Sequence, residues 1–215
     1  MKNLLIWGAG GHGRVVLDIA RSMGDFGHIA FYDNRVGLFE QLAGIDVLSG
    51  DLYGVRQLGF DMFIVAIGPN MLRAERFSEA LEAGLEPATC IHSTAWISPG
   101  AVIGRGTVVM PRVVIQTDAR VGEDCIVNTG AIVEHDCIVG DHVHLSPGVT
   151  LCGNVIIGPF AHLGASVTAI PGATVGDGAV VGAGAVVLGE IPRGTTAVGV
   201  PARVIRGDDS GSSRK

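Results

Sequence analysis

Two short stretches of the 215-residue chain combine residue types suited to chemistry. The first is Glu134-His135-Asp136-Cys137. An imidazole titrates near neutrality and can take or give a proton in a transition state. A carboxylate beside it can hold one ring tautomer and raise the basicity of the other nitrogen. Adjacent side chains on a flat strand point apart, so His135 and Asp136 can meet only where the chain turns. The second stretch is Gly8-Ala9-Gly10-Gly11-His12-Gly13, in which Gly8, Gly10 and Gly13 match G-x-G-x-x-G. Asp33 follows Gly13 by twenty residues. A glycine turn at a helix N-terminus lets backbone N–H groups approach a phosphate. A carboxylate at that distance can accept from ribose hydroxyls. An NAD site, a nucleotide-linked ligand and a plain tight turn all fit this spacing.

The elements around the glycines read as strand, turn and helix. Asn3-Leu4-Leu5-Ile6-Trp7 is a buried strand, and Val15, Val16, Ile19 and Ala20 mark one face of a helix. Residues 29–32 form a second strand ending at Asp33, and residues 62–67 a third ending at Gly68-Pro69-Asn70. A helix then runs to about Ala83. Strand–helix alternation predicts a small parallel, Rossmann-like α/β domain over residues 1–88. That length holds only half of a full dinucleotide fold.

His135 belongs to a different architecture. From Ile91 to Val187 every sixth residue is Ile, Val or Leu at all seventeen positions except Ala169. The residue four places after each, from Ala95 to Ala185, is always Ala, Val, Cys or Thr. A period of six is neither helical nor alternating. It is one short strand plus one turn, repeated, and such units must stack to bury a face. A parallel β-helix over residues 89–207 follows, with a disordered tail at 208–215. His135 takes the third place of its hexad, toward a coil corner.

Composition excludes other classes. The net charge of −6 argues against nucleic acid and against a polybasic membrane surface. No apolar run approaches the ~20 residues of a membrane helix, and the first apolar stretch breaks at Gly8, too soon for a signal peptide. The four cysteines lack C-x-x-C spacing, so no zinc or redox motif is present and a cytoplasmic protein with reduced thiols is expected. Cys125 and Cys137 fall in the inward column of small residues; Cys152 does not.

The [Leu/Ile/Val]-Gly-x-x-x-x run resembles the hexapeptide-repeat acyltransferases. Together with Gly8–Gly13, Ala66-Ile67-Gly68-x-Asn70, Glu134–Cys137 and the closing Gly199-Val200-Pro201-Ala202-Arg203, it resembles one branch of them. That branch holds the nucleotide-sugar N-acetyltransferases, such as the UDP-4-amino-sugar and GDP-perosamine enzymes, and the sialic acid O-acetyltransferases. The resemblance spans about residues 3–207. It implies a left-handed helix of three-faced, 18-residue coils, a homotrimer, and an acetyl-CoA site between neighbouring helices, with no metal. It implies His135 as general base, supported by Asp136 where relatives often carry Glu. Gly153 lies one coil beyond His135 and matches a residue whose N–H faces the thioester oxygen. His144, Ala165 and Ala183 match acetyl-CoA contacts. Gly10, Gly11, His12, Gly13, Asp33, Asn34 and Gly68 fall to the nucleotide-linked amino sugar, and Asn128 to its amino group or ring, although a structural Asn in a turn reads equally. His162, one coil from His144, and His142 are expected on the solvated surface. The leading expectation is N-acetylation of a nucleotide-linked 4-amino-4,6-dideoxy sugar. The alternatives are O-acetylation of a sialic acid or similar sugar, an NAD-linked enzyme, and a non-catalytic nucleotide-binding scaffold.

Overall fold

The computed structural model describes residues 1–35 and 41–207. The tail expected at 208–215 lies outside the described residues. The chain opens with β1 (Lys2–Trp7), α1 (Gly11–Met23) and β2 (Phe26–Tyr32). After these come β3 (Gln41–Leu42), β4 (Ile45–Leu48), α2 (Leu52–Gln57), β5 (Met62–Val65), α3 (Asn70–Glu82) and β6 (Glu86–Pro87). The sheet order is β3-β4-β2-β1-β5-β6. All neighbours are parallel except the β3–β4 hairpin. β3, β4 and α2 have no counterpart in the sequence reading. They are short, and the readable sign was Asp51, whose carboxylate caps α2 by accepting from Gly54 N–H at 3.2 Å.

β1 is central, so both its faces are covered, and Leu4, Leu5 and Ile6 are fully buried. One face packs on α1 through Val16, Leu17, Ile19 and Ala20. The other packs with Phe63, Val65 and Phe77 near α3. The α1 side runs without a break into the first β-helical coil around Ala88, Cys90 and Val108. The two parts therefore share one core.

From Cys90 to Ile191 the strands are two residues long and form three parallel sheets. The first face begins with Cys90–Ile91, the second with Trp96–Ile97 and the third with Val102–Ile103. Val109 pairs with Val127 and Val127 with Leu145, a step of one 18-residue coil. Each strand bonds only to the coils before and after it. This is the parallel three-sheet repeat typical of a left-handed β-helix. The aliphatic column points inward and is buried from Val109 to Val187. The last coil is shorter: Val175 pairs with Ile191 and Val181 with Ala197. Arg203–Arg206 then folds back antiparallel on the first face.

The corners turn through left-handed backbone. The corner between the third and first faces repeats at Gly106, Asp124, His142, Phe160 and Gly178, all with φ between 49° and 74°. α3 docks there. Asn70 Nδ2 donates to the carbonyls of Phe160 and Ala161 at 2.8 and 3.1 Å. Phe77 closes on Gly106, where a Cβ would come within 2.3 Å of its ring.

Candidate active site

His135 sits at the corner between the second and third faces, half-exposed. Asp136 takes a left-handed conformation with φ 61°. That turn swings its carboxylate back, and Oδ2 accepts from His135 Nδ1 at 2.8 Å. The pairing leaves Nε2 as the nitrogen with a free lone pair. Gly153 lies under the ring: a Cβ there would stand 2.6 Å from both Cε1 and Nε2 of His135. The Gly153 N–H meets no acceptor among the described residues. The imidazole and a backbone N–H without an acceptor therefore lie on adjacent coils of one corner, an arrangement that suits proton removal beside a developing oxyanion.

A cleft of about 610 Å³ opens in the α/β domain. Gly8, Gly10, Gly11, His12, Asp33 and Asn34 line it, together with Trp7, Arg76 and Glu79, which the sequence reading passed over. Gly13 and Gly68 do not line it. Gly13 serves packing, since a Cβ there would fall 1.9 Å from the Gly8 carbonyl oxygen. The Gly68 carbonyl accepts from Arg73 at 3.1 Å. Asp33, expected as a ribose acceptor, lines the cleft with its carboxylate already engaged. Its Oδ2 accepts from Ala9 N–H at 3.0 Å and its Oδ1 from Arg35 N–H and Nε at 3.1 and 2.9 Å. Arg35 holds this carboxyl below the usual range, and the Ala9 bond ties the glycine loop to β2. Asn34 is spent on Gly50, accepting from its N–H at 2.7 Å.

His12, His144 and His162 gather where the cleft meets the first face. His144 and His162 stack with centroids 4.8 Å apart and planes 5° apart. His162 is thus half-buried and not on a solvated surface, because the α/β domain covers that part of the face. Ser146 Oγ lies 3.1 Å from its Nε2. Asn128 Oδ1 accepts from Thr129 N–H, which turns its Nδ2 toward His144 Nε2 at 3.3 Å. Burial lowers the His144 pKa to about 3, and the repulsion its protonated form would meet from His162, Arg73 and His12 lowers it further. Burial and then Arg73 lower that of His12 to about 4. All three rings are therefore neutral near pH 7.

Arg73 was not singled out from the sequence, yet it joins the two parts of the molecule. It is 1% exposed and lies 3.2 Å from the fully buried Asp124 carboxylate. It donates to the carbonyls of Asp124 and His142 at 2.8 and 2.7 Å. It also donates to those of Ile67 and Gly68 at 3.3 and 3.1 Å. His142 is not a surface residue: its Nδ1 meets Asp124 Oδ2 at 2.9 Å and its ring stacks on Phe160 at 4.7 Å. Asp124, His142 and Phe160 are each one coil apart, so the same arithmetic that paired His135 with Gly153 could have found them.

Ala165 and Ala183 are exposed at the corner between the first and second faces, one coil apart. That is a different corner from the one holding His135. Cys125 and Cys137 are buried, and burial pushes the Cys125 thiol up to about 12. Cys152 is half-buried, and its carbonyl accepts from Cys137 Sγ at 3.0 Å.

Hexapeptide coils preceded by an α/β domain define a class, the hexapeptide-repeat transferases. The family described as PglD N-terminal domain matches residues 3–80, and bacterial transferase hexapeptide (six repeats) matches 100–135 and 118–153. UDP-N-acetylbacillosamine N-acetyltransferase from Bacillus subtilis is 41% identical over 115 residues, 51% of this chain and 52% of that one. This chain thus spans about half the length of that relative. A variant of perosamine N-acetyltransferase from Caulobacter crescentus, in complex with CoA and GDP-perosamine, has a TM-score of 0.90 at 36% identity. The match covers 97% of this chain and 98% of that one. The acetyltransferase domain of PglB from Neisseria gonorrhoeae, in complex with acetyl coenzyme A, has a TM-score of 0.89 at 37% identity over 95% and 99% of the two chains. The chain belongs to the PglD-like hexapeptide-repeat N-acetyltransferases.

Proposed function

We propose that the protein transfers an acetyl group from acetyl-CoA to the amino group of a nucleotide-linked 4-amino-4,6-dideoxy sugar. The observation that carries this reading is the His135 ring held between Asp136 and Gly153. His135 Nε2 takes a proton from the sugar amine as its nitrogen forms a bond to the thioester carbon. Gly153 N–H donates to the carbonyl oxygen as that oxygen gains charge. The C–S bond then breaks, and His135 returns the proton to the departing thiolate. Asp136 keeps Nδ1 protonated throughout and steadies the imidazolium between the two transfers. The glycine loop and the start of α1 offer backbone N–H groups to the pyrophosphate.

The acting unit is a homotrimer. Ala165 and Ala183, which match acetyl-CoA contacts, and His135 occupy different corners of the triangular coil. One chain cannot bring them to the same ligand, whereas a neighbouring helix can. Ile138 and Ile156 stand one coil apart on the third face, each about half-exposed, and give it an apolar patch beyond Arg120, as an interface requires. No helix among the described residues is long and apolar enough to cross a membrane, and a cytoplasmic site of action agrees with a CoA co-substrate.

Thiol release from acetyl-CoA tests this reading, with UDP-, GDP- and dTDP-linked 4-amino sugars and free sialic acid as acceptors. Release with one nucleotide amino sugar, lost about 10²-fold or more in His135→Ala, is the expected result. Release with sialic acid alone would replace it with O-acetylation.

A further inference from the structure

The cleft has two chemically different ends. His12 stands at the end against the β-helix, near Arg73 and His144. Glu79 stands at the opposite end, where it also lines a shallow depression with Tyr32 and Gly50. A nucleotide sugar whose pyrophosphate sits on the α1 N-terminus must send its sugar toward the β-helix. Its base then falls at the Arg76–Glu79 end.

Few side chains there keep free hydrogen-bonding capacity. Asp33 is engaged by Ala9 and Arg35, and Asn34 by Gly50 and Tyr32. Among the described lining residues Arg35, paired with Asp33, keeps spare donors only, whereas Arg76 and Glu79 together keep both donors and acceptors. They are paired with each other one helical turn apart on α3. The Arg76 guanidinium is further held over the Trp7 ring, 5.8 Å from its centroid. One pair used by each still leaves Arg76 with spare N–H donors and Glu79 with spare lone pairs. The cleft thus presents a cation and a carboxylate side by side.

We infer that Arg76 and Glu79 form a guanine-selective base subsite, so that the nucleotide carrier of the sugar is GDP. This rests on the proposed function, whose substrate it specifies. Guanine offers O6 as an acceptor next to two donors, N1–H and N2–H. Arg76 donates to O6, and the Glu79 carboxylate accepts from both donors in a bidentate pair. Uracil and thymine place a second carbonyl where guanine has N2–H, and that oxygen faces the carboxylate. Adenine presents an unprotonated N1 there. Each mismatch leaves a charged group without its partner, which is how a polar site discriminates.

Calorimetric titration of the whole protein with GDP, UDP, dTDP and ADP tests this without any acetyl transfer. GDP is expected to bind at least about tenfold more tightly than the others, the usual scale for a bond to a charged group. Glu79→Gln, which keeps the shape but loses the second acceptor, should weaken GDP about tenfold and leave UDP within twofold. Arg76→Met should weaken GDP likewise. A preference for UDP, dTDP or ADP would overturn the guanine assignment while leaving nucleotide binding intact. Equal loss of GDP and UDP in Glu79→Gln would overturn it too, by making Glu79 a general support of the cleft. Failure of all four to bind would remove both the subsite and the nucleotide half of the proposed function.

Discussion

The imidazole of His135 rests on Gly153, one coil away, so closely that a single added methyl at Gly153 would stand 2.6 Å from two of its ring atoms. Gly153 is buried, and its backbone is open to any residue type. Gly153→Ala should therefore keep the fold and displace the ring. We expect kcat to fall at least about tenfold, on the scale of a misplaced catalytic group, with the melting temperature little changed. Steady-state kinetics beside a thermal melt check this.

Asp136 sits in left-handed backbone, which Asn tolerates well. Asp136→Asn should preserve the corner while removing the charge that holds the His135 tautomer. Its rate should lie between those of the native protein and His135→Ala. A native rate would show that the carboxylate does not act on the ring.

Arg73 and Asp124 form a buried pair between the two parts of the molecule. Arg73→Met strips the partner from a carboxylate that is 0% exposed. Breaking such a pair costs about 3–5 kcal/mol. Urea unfolding should show a loss of that size, and Asp124→Asn in the same background should recover part of it.

The histidines at the cleft make stability pH-dependent. His12, at about 4, is depressed from 6.5 by burial and then by Arg73. The unfolded chain therefore binds this proton first as pH falls. The contribution is complete above pH 6.5 and shrinks by about 1.4 kcal/mol per unit below it, until His12 also protonates near pH 4. His144, at about 3, extends the same trend lower. Denaturant melts between pH 7 and 4 should show the decline, and His12→Asn should flatten it.

If the Ile138–Ile156 patch on the third face is the trimer contact, a charge there should break it. Ile138→Asp is half-exposed in one chain, so the monomer should still fold. Light scattering is expected to shift from trimer to monomer, with activity lost because the corners holding His135 and Ala165 no longer meet.

Much of the site was legible because the repeat is strict. Once the inward column repeats every six residues and three hexads close a coil, residues 18 apart must stack. That places Gly153 under His135 and His162 under His144. The same rule, applied to Asp124, would have led to His142 and Phe160. The glycine fingerprint located the cleft but not the duties of its members. Gly13 packs against the Gly8 carbonyl, and the Asp33 carboxylate braces the loop while lining the cleft, because those contacts depend on which neighbours fill the space.

The sequence by itself determined the coil, its register and the residues that face inward, since each hexad bonds only to its copies above and below. Only the tertiary structure decided where the α/β domain docks. That contact joins Arg73 to Asp124, fifty-one residues away, and no period links them. Tertiary structure also set Asp136 back toward His135 through one left-handed residue. A repeat fixes neighbours along its own axis. Contacts between unlike parts depend on the shapes and charges that meet, and those exist only once both parts have folded.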